Sequence, residues 1–296
     1  MVGDLARLLA DLLGAAGEST LNRVGAGVLS RIAPVVHRPR PVITIPGFMA
    51  SDGSMARLNA FLNRQGFKAR SWALGQNRGL QGRTWSSSLE RIRRRMTGQI
   101  RELADACSAP VSLVGHSLGG VYARELAYHL EDELDRVITL GAPTFHPYRR
   151  DRHNQVVHAI GRWVNRQSAT EFGGRAGLVH WDADHPRLPC VAIHSPIDGF
   201  VHERACLIPG YIVAQSGRKT PRENIRVLAT HAGMTCNVWV LLAVADRLAA
   251  DRRNWQPFDP RVYFPSYLSH LARCAYPAAD ALWGDRGAAA FVRKFQ

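Results

Sequence analysis

The sequence predicts an α/β protein in which a mostly parallel sheet is covered by helices on both faces. Short apolar runs rich in β-branched residues, such as residues 42–45 and 137–140, have the composition of strands buried on both faces. Amphipathic helical patterns separate these runs, and strands that alternate with helices form parallel sheets. The chain of 296 residues is 46% hydrophobic and 21% charged, which is the mix of a globular protein.

From residue 41 onward each element follows from its local pattern. Strands are predicted where apolar or alternating runs end at turn residues, at 42–45, 67–74, 111–114, 137–140, 190–194 and 225–229. Helices are predicted where apolar residues recur every three to four positions, at 54–65, 86–107, 118–134 and 235–250. Residues 75–82 contain three glycines and are predicted to form a loop.

Three segments depart from this alternation. Residues 1–40 are predicted to be an N-terminal amphipathic helical segment, with one apolar face formed by Leu5, Leu8, Leu9, Leu12 and Leu13. Residues 143–189 are far longer than a usual connection and are interpreted as a cap or lid insertion within a catalytic domain spanning 41–258. A plain surface excursion is the alternative. Residues 259–296 form a C-terminal tail without a sheet pattern.

The N-terminal segment and the charge raise the question of a membrane. We interpret the segment as a helix docked on the body of the protein, with an interfacial membrane anchor as the alternative. Asp4 and Asp11 disfavour the anchor, because anionic lipid prefers a basic polar face. The net charge of +14 is spread along the chain and fits an Arg-rich soluble enzyme or one that contacts an anionic surface. No nucleic-acid motif is recognisable, so we predict no nucleic-acid partner.

Targeting and cysteine patterns favour a cytoplasmic protein, with membrane association as the alternative. Asp4, Arg7 and Asp11 interrupt the apolar stretch that a secretory signal requires, and no run of about 18 apolar residues occurs. The five cysteines contain no CxxC pair, which predicts free thiols in a reducing compartment. A bridge between Cys206 and Cys236 remains the alternative.

The strongest chemical signal is the run Gly115-His-Ser117-Leu-Gly119, which follows the strand at 111–114 and precedes a helix. This G-x-S-x-G arrangement places a serine hydroxyl on a sharp strand-to-helix turn, the nucleophile elbow of α/β hydrolases. Glycines at 115 and 119 remove side chains that would collide where strand and helix cross. The helix that begins at Leu118 points backbone N–H groups at the place where negative charge develops.

A serine nucleophile needs a base and an acid that orients the base, in the chain order Ser, Asp or Glu, His. Among twelve histidines, His231 comes directly after the last predicted strand and is therefore the predicted base. Asp198 lies in the turn after the penultimate strand and is the predicted acid. A plain turn-forming Asp-Gly pair is the alternative interpretation, and Asp182, Asp184 and Glu203 are the other acid candidates.

The oxyanion hole needs two backbone donors. One is predicted to be the N–H of Leu118, the residue after the nucleophile, and the other the N–H of Phe48, in the loop after the first strand. Gly47 allows that loop to turn closely. The N–H of Met49 is the alternative second donor.

Together these segments resemble the bacterial esterase/lipase branch of the α/β-hydrolase superfamily, over roughly residues 41–258. The matching segments are residues 44–48, 72–77, 115–119, 141–143, 195–199 and 230–231, with Asn237 downstream. The resemblance implies a triad of Ser117, Asp198 and His231, with Phe48 and Leu118 as oxyanion donors. One departure is that many lipases carry His-Gly at the oxyanion turn, whereas Pro46 precedes Gly47 here.

The expected function is hydrolysis of a small-molecule ester or lipid through an acyl-enzyme, without cofactor or metal. An acyltransferase, thioesterase or peptidase on the same triad is one alternative, and a non-catalytic lipid- or protein-binding module is another. A metal enzyme is the third, because histidines and aspartates cluster at residues 180–185. Apolar residues in the insertion favour an acyl chain, namely Trp163, Phe172, Leu178 and Trp181. The sequence carries no indication of the oligomeric state.

Overall fold

The computed structural model describes residues 11, 13–15, 17, 27–79, 85–143, 187–208, 212–213, 219–264 and 274–277. The strands in these ranges are β1 (Pro41–Ile45), β2 (Lys68–Ser71), β3 (Val111–His116), β4 (Leu134–Leu140), β5 (Cys190–His194), β6 (Ile212–Val213), β7 (Lys219–Thr220) and β8 (Arg222–Arg226). Six strands form one sheet in the order β2-β1-β3-β4-β5-β8, and every neighbouring pair in it is parallel. Strands β6 and β7 form a separate antiparallel pair.

Helices cover both faces of the sheet, as predicted. They are α1 (Asp52–Arg64), α2 (Trp85–Cys107), α3 (Leu118–His129), α4 (Glu203–Cys206) and α5 (Val238–Ala249), with a 3₁₀ turn at Pro260–Tyr263. Successive strand residues point to opposite faces, so Val42 packs with α1 and α5 while Ile43 packs with α2 and α3. The two cores therefore lie on the two sides of one sheet.

Several predicted elements differ from the structure in extent. The strand predicted at 67–74 covers only Lys68–Ser71, and the strand predicted at 137–140 begins earlier, at Leu134. Helix α3 ends at His129 rather than at 134, because β4 already begins at Leu134. The last strand is Arg222–Arg226 rather than 225–229. The charged residues Glu223 and Arg226 interrupt the apolar pattern, so the prediction placed the strand too late in the sequence. In the structure both side chains have ionic partners. The apolar residues 227–229 continue past the strand toward the carboxyl edge.

The N-terminal segment differs from the expected amphipathic arrangement. Residues 11, 13–15, 17 and 27–32 are helical. Leu13, predicted to lie on the packed apolar face, is 75% exposed, whereas Asp11 is only 2% exposed. The predicted face is therefore wrong at Leu13, and the carboxylate of Asp11 is buried instead against the backbone of distant loops. Leu5, Leu8, Leu9 and Leu12 lie outside the described residues.

Several other predictions concern residues that are not described. The proposed cap or lid lies there except at its two ends, and so do the histidine- and aspartate-rich stretch at 180–185 and most of the tail beyond 264. In the described part of the chain, no helix has both the length and the apolar character of a membrane span. All five cysteines are free thiols, so Cys206 and Cys236 are not paired.

Candidate active site

Ser117 lies at the end of β3 in a backbone conformation that few residues adopt. Its φ is 52° and its ψ is −121°, and helix α3 begins at the next residue. A positive φ costs energy in any residue other than glycine and persists only where the surrounding structure holds it. Here the Ser117 N–H donates to the carbonyl of Leu140 (2.8 Å), at the end of the neighbouring strand. The turn thus has the strained geometry of a nucleophile elbow.

The glycines around Ser117 are dictated by close backbone contacts. A Cβ on Gly115 would lie 2.3 Å from the carbonyl oxygen of Gly119, and a Cβ on Gly119 would lie 2.3 Å from that of Ile45. Real Cβ atoms do not approach this closely, so both positions require glycine. Helix α3 consequently packs directly over β1 and β3, and its N-terminus stands at Ser117.

Asp198 and His231 form a buried hydrogen-bonded pair at the same edge of the sheet. The Nδ1 of His231 and the Oδ2 of Asp198 are 2.7 Å apart, and the Asp198 side chain is 1% exposed. The other carboxylate oxygen, Oδ1, accepts the N–H groups of Phe200 (2.8 Å) and Val201 (2.7 Å). Because both oxygens are engaged, the carboxylate is held in one orientation, and the Nδ1–H of the imidazole donates to it.

The environment of His231 favours its protonated form. Burial lowers the pKa of His231, but the charge and hydrogen bond of Asp198, together with the charge of Asp11, outweigh burial and raise it above the ordinary value of 6.5. With Nδ1–H bonded to Asp198, the Nε2 atom is left as the proton acceptor. The ring of Phe200 stacks on the imidazole, with centroids 4.9 Å apart.

The ring of His116, the residue before Ser117, lies beside that of His231. Its ring centroid is 4.8 Å from that of His231, and its Nε2–H donates to the backbone carbonyl of His231 (2.9 Å). Burial, reinforced by the nearby His231, lowers the pKa of His116 to about 3, so this ring is neutral. His116 thereby links the serine turn to the histidine loop. No hydrogen bond joins Ser117 to His231 among the described residues, and such bonds often tighten only when substrate binds.

The loop after β1 passes directly against the elbow. A Cβ on Gly47 would lie 3.2 Å from the Cβ of Ser117 and 2.9 Å from Nδ1 of His116. Phe48, the predicted donor, is the next residue on this loop. The N–H of Met49, the alternative donor, instead donates to the carbonyl of Asn77 (2.7 Å). Leu118, as the first residue of α3, has an N–H without a partner inside the helix.

Asn77 holds the loop after β1 in place, a role that sequence reasoning did not assign. It is fully buried, and its side-chain amide donates to the carbonyl of Pro46 (2.8 Å). Its backbone N–H donates to Ala50 (2.8 Å), opposite the bond that it accepts from Met49. The residues that Asn77 holds lie about thirty positions earlier in the chain. The sequence therefore indicates this role only through the Gly-rich stretch around Asn77.

The histidine loop is held by two further side chains, and a glycine passes close beneath it. The hydroxyl of Ser195 accepts the N–H groups of Ile197 and Ala229 (both 3.2 Å), which joins the acid loop to the end of β8. Asn237 caps α5 by accepting the N–H of Trp239 (2.9 Å). Its amide also donates to the carbonyl of Leu228 (3.2 Å). Gly141, with φ 54°, passes beneath the pair, where a Cβ would lie 2.9 Å from Oδ2 of Asp198.

The remaining sequence candidates lie elsewhere or have other contacts. His194 lies in β5 and is fully buried. Glu203 pairs with Arg226 (2.7 Å) rather than with His231. Asp182 and Asp184 are outside the described residues. The residues predicted for the site thus lie at one edge of the sheet, with Phe48, Asp198 and His231 on loops, Ser117 in the turn after β3 and Leu118 at the start of α3.

No protein-family model matches the sequence, and no curated protein matches it. Among solved structures, the chain is similar to the acylaminoacyl peptidase of Pyrococcus horikoshii, with 13% identity and a TM-score of 0.51 over 79% of this chain and 41% of that chain. A soluble variant of monoglyceride lipase from Saccharomyces cerevisiae has 14% identity and a TM-score of 0.48 over 73% of this chain and 89% of that chain. A pyrethroid hydrolase from Sphingobium faniae has 15% identity and a TM-score of 0.47 over 73% of this chain and 100% of that chain. The strand order, the elbow and the similarity to the peptidase identify the α/β-hydrolase fold.

Proposed function

We propose that the protein is a serine hydrolase that cleaves carboxylic esters through an acyl-enzyme. The observation that carries the proposal is the buried His231–Asp198 pair, with 2.7 Å between Nδ1 and Oδ2, on loops beside the strained turn of Ser117. A neutral imidazole fixed by a carboxylate on one nitrogen presents the other nitrogen as a base, which is what a serine hydroxyl requires to become a nucleophile.

In the proposed reaction the Ser117 hydroxyl attacks the ester carbonyl while Nε2 of His231 takes its proton. The carbonyl oxygen becomes an oxyanion, which the N–H groups of Leu118 and Phe48 stabilise together with the N-terminus of α3. Collapse of this intermediate expels the alcohol, which takes the proton back from His231. Water then attacks the acyl-enzyme with His231 again as the base, and the carboxylic acid leaves. Asp198 keeps the imidazole in the required tautomer throughout.

An apolar acyl group is the substrate class that the exposed residues favour. Met49 is 50% exposed and Ile197 is 52% exposed, on the loops that follow β1 and β5. These loops leave the same edge of the sheet on either side of β3, which carries Ser117. Exposed apolar side chains on both sides of a nucleophile suit an acyl chain better than a small polar ester.

The decisive test compares wild-type protein with Ser117→Ala on nitrophenyl acetate, butyrate, octanoate and palmitate, and in labelling with a fluorophosphonate probe. We expect wild type to hydrolyse the esters and to be labelled at Ser117. The variant should lose labelling, and its kcat should fall by about 10⁴–10⁶. Ser54→Ala is the matched control, because the Ser54 hydroxyl bonds only within the first turn of α1.

Three outcomes would overturn the proposal. Full turnover by the Ser117→Ala variant would exclude Ser117 as the nucleophile. A wild-type protein that neither hydrolyses esters nor reacts with the probe would instead be a binding module on this fold. Product analysis with an added alcohol distinguishes hydrolysis from acyl transfer, since a transferase would form the new ester in preference to the free acid.

A further inference from the structure

Asp11 lies against the loops that carry His231 and Asp198, although the first turns of the chain are far from both in sequence. Its Oδ2 accepts the backbone N–H of His231 (2.7 Å) and that of Gly199 (2.9 Å). Its Oδ1 accepts the N–H of Ala232 (3.1 Å). One carboxylate therefore bridges the residue that follows Asp198 and the backbone of the histidine itself.

These contacts account for the burial of a charged group. Asp11 is 2% exposed, and a buried carboxylate is stable only where hydrogen bonds replace the water that it loses. Hydrogen bonds from N–H groups to a carboxylate are among the stronger ones in proteins. The three N–H groups belong to irregular loops, where no strand or helix ladder would satisfy them. The carboxylate and the three N–H groups thus satisfy one another's need for hydrogen-bond partners.

The packing around Asp11 is equally close. A Cβ on Gly14, one helical turn after Asp11, would lie 2.6 Å from Cγ2 of Thr230, the residue before His231. Gly14 is therefore the residue that allows this turn to approach the histidine loop. Leu13 points away from the body and is 75% exposed. The hydrogen bonds of Asp11 and the close approach at Gly14 thus hold the described turn against the two loops.

We propose that Asp11 is a positioning residue for the catalytic pair, so that the N-terminal turn forms part of the active site. Through the three N–H groups, its carboxylate ties the acid loop to the histidine loop and sets where the imidazole stands relative to the elbow. This inference rests on the proposed ester hydrolysis, because it assigns Asp11 a role in placing the base of that reaction.

The role has an electrostatic consequence that simple bracing would not have. Among the residues that the structure describes, the titratable groups that face His231 are Asp198 on the acid loop, Asp11 on the N-terminal turn and His116 at the elbow. The negative charge of Asp11 helps to raise the pKa of His231. Removal of that charge should lower the pKa, so the base would lose its proton at a lower pH and the acidic limb of kcat/KM would move in the same direction.

The test measures the pH profile of kcat/KM for nitrophenyl butyrate with wild type, Asp11→Asn and Asp11→Glu. Asp11→Asn removes the charge and at least one of the three accepted bonds. We expect its kcat/KM to fall about tenfold to a hundredfold, the range that a misplaced catalytic group produces, and its acidic limb to move to lower pH. Asp11→Glu keeps the charge, so its limb should stay where wild type has it. Asp105→Asn, on the exposed end of α2, is the matched control.

Gly14→Val provides an independent route if Asp11→Asn does not fold. It keeps Asp11 but drives the turn away from Thr230, and it should also lower kcat/KM and move the acidic limb to lower pH. If folded Asp11→Asn or Gly14→Val retains the wild-type limb and kcat/KM within twofold, the inference is wrong while the hydrolase proposal stands. If only the melting temperature falls, Asp11 is a structural brace and the inference is again wrong. Inactivity of the wild type toward esters and probe would instead end the proposed function.

Discussion

At the scale of single residues, the proposed chemistry depends on which proton His231 carries. Its Nδ1 is 2.7 Å from Asp198, and its backbone carbonyl accepts the Nε2–H of His116 (2.9 Å). His116 cannot compete as a proton donor or acceptor near neutral pH, because burial lowers its pKa to about 3. The two rings lie side by side, but only His231 is placed to titrate in the range where the reaction would run.

The pH dependence of activity should report the state of His231. Its pKa is raised above 6.5, mainly because the Asp198 charge and hydrogen bond outweigh burial. The base works only when neutral, so kcat/KM should rise with pH along a limb whose midpoint lies above 6.5. A profile of kcat/KM for a nitrophenyl ester checks this. A midpoint below the ordinary histidine value would contradict the assigned base or its partner.

Asp198→Asn should abolish most of the activity while leaving the fold intact. Asparagine has the same shape as aspartate, but its amide cannot hold the imidazole in the tautomer that leaves Nε2 free, and we expect kcat to fall by about 10⁴. Asp132→Asn, in the exposed turn before β4, is the control and should keep wild-type kcat. If kcat of Asp198→Asn falls less than tenfold, another acid orients the base.

At the scale of secondary-structure elements, the site depends on how closely α3 crosses β1 and β3. The backbone carbonyl oxygens of Ile45, at the end of β1, and of Pro46, just after it, would lie 2.3 Å and 2.6 Å from a Cβ on Gly119. This close packing fixes the position of the N-terminus of α3, and with it that of Ser117, the residue before the helix. The loop after β1 depends in turn on Asn77, which follows β2 and donates hydrogen bonds to the carbonyls of Pro46 and Ala50.

Two glycine-to-alanine variants should therefore have opposite effects on stability. Gly119→Ala should lower the free energy of unfolding by about 2–3 kcal/mol, because backbone must move to admit the methyl group. Gly98→Ala, on the exposed face of α2 with nothing within 4 Å of its Cβ, should raise it by about 0.5–1 kcal/mol, since alanine restricts the unfolded chain and favours helix. Urea unfolding of both variants checks the pair. Equal effects of the two substitutions on the free energy of unfolding would mean that α3 does not cross β1 and β3 as closely as described.

At the scale of the whole molecule, residues from distant parts of the chain close around the sheet. Leu29 and Ala33, before β1, belong to the same core as α1 and α5, and Trp255, Phe258 and Tyr276 pack against it. Glu223 of β8 joins this region by accepting hydrogen bonds from Arg247 of α5 (2.8 Å), from Trp255 (3.1 Å) and from the N–H of Phe258 (2.6 Å). A charged network thus fastens the chain after α5 to the edge of the sheet.

Removal of Glu223 should destabilise the whole fold. Its partner Arg247 has a side chain only 5% exposed, and a buried charge that loses a partner costs about 3–5 kcal/mol. Asp246 still bonds Arg247, so we expect Glu223→Ala to lower the free energy of unfolding by about 3 kcal/mol, at the lower end of that range. Glu102→Ala, which breaks the exposed pair with Arg70, should change it by less than about 1 kcal/mol. Denaturant unfolding measures the change for both variants. Equal losses of unfolding free energy would mean that the buried network contributes no more to stability than an exposed ion pair.

The local pattern of the sequence was sufficient to predict most of the strands and helices. The strand at 190–194 is observed at those bounds, and the helix predicted at 86–107 is observed at Trp85–Cys107. The elbow could be recognised because its G-x-S-x-G motif is contiguous in the sequence, although the contact that requires Gly119 is with Ile45 of a distant strand. The last strand could not be bounded, because its charged residues are neutralised by partners on other elements.

What the sequence determined by itself is therefore local: the period of each strand and helix, the strained serine turn and the residues that follow each strand. The tertiary structure alone decided that Asp11 would be buried against His231, 220 positions away, and that the His116 ring would lie beside the base. Periodicity and turn preferences act over a few residues, whereas these contacts depend on how the chain closes around its sheet. A lone aspartate on a predicted helix has the same local pattern whether it faces water or three backbone N–H groups.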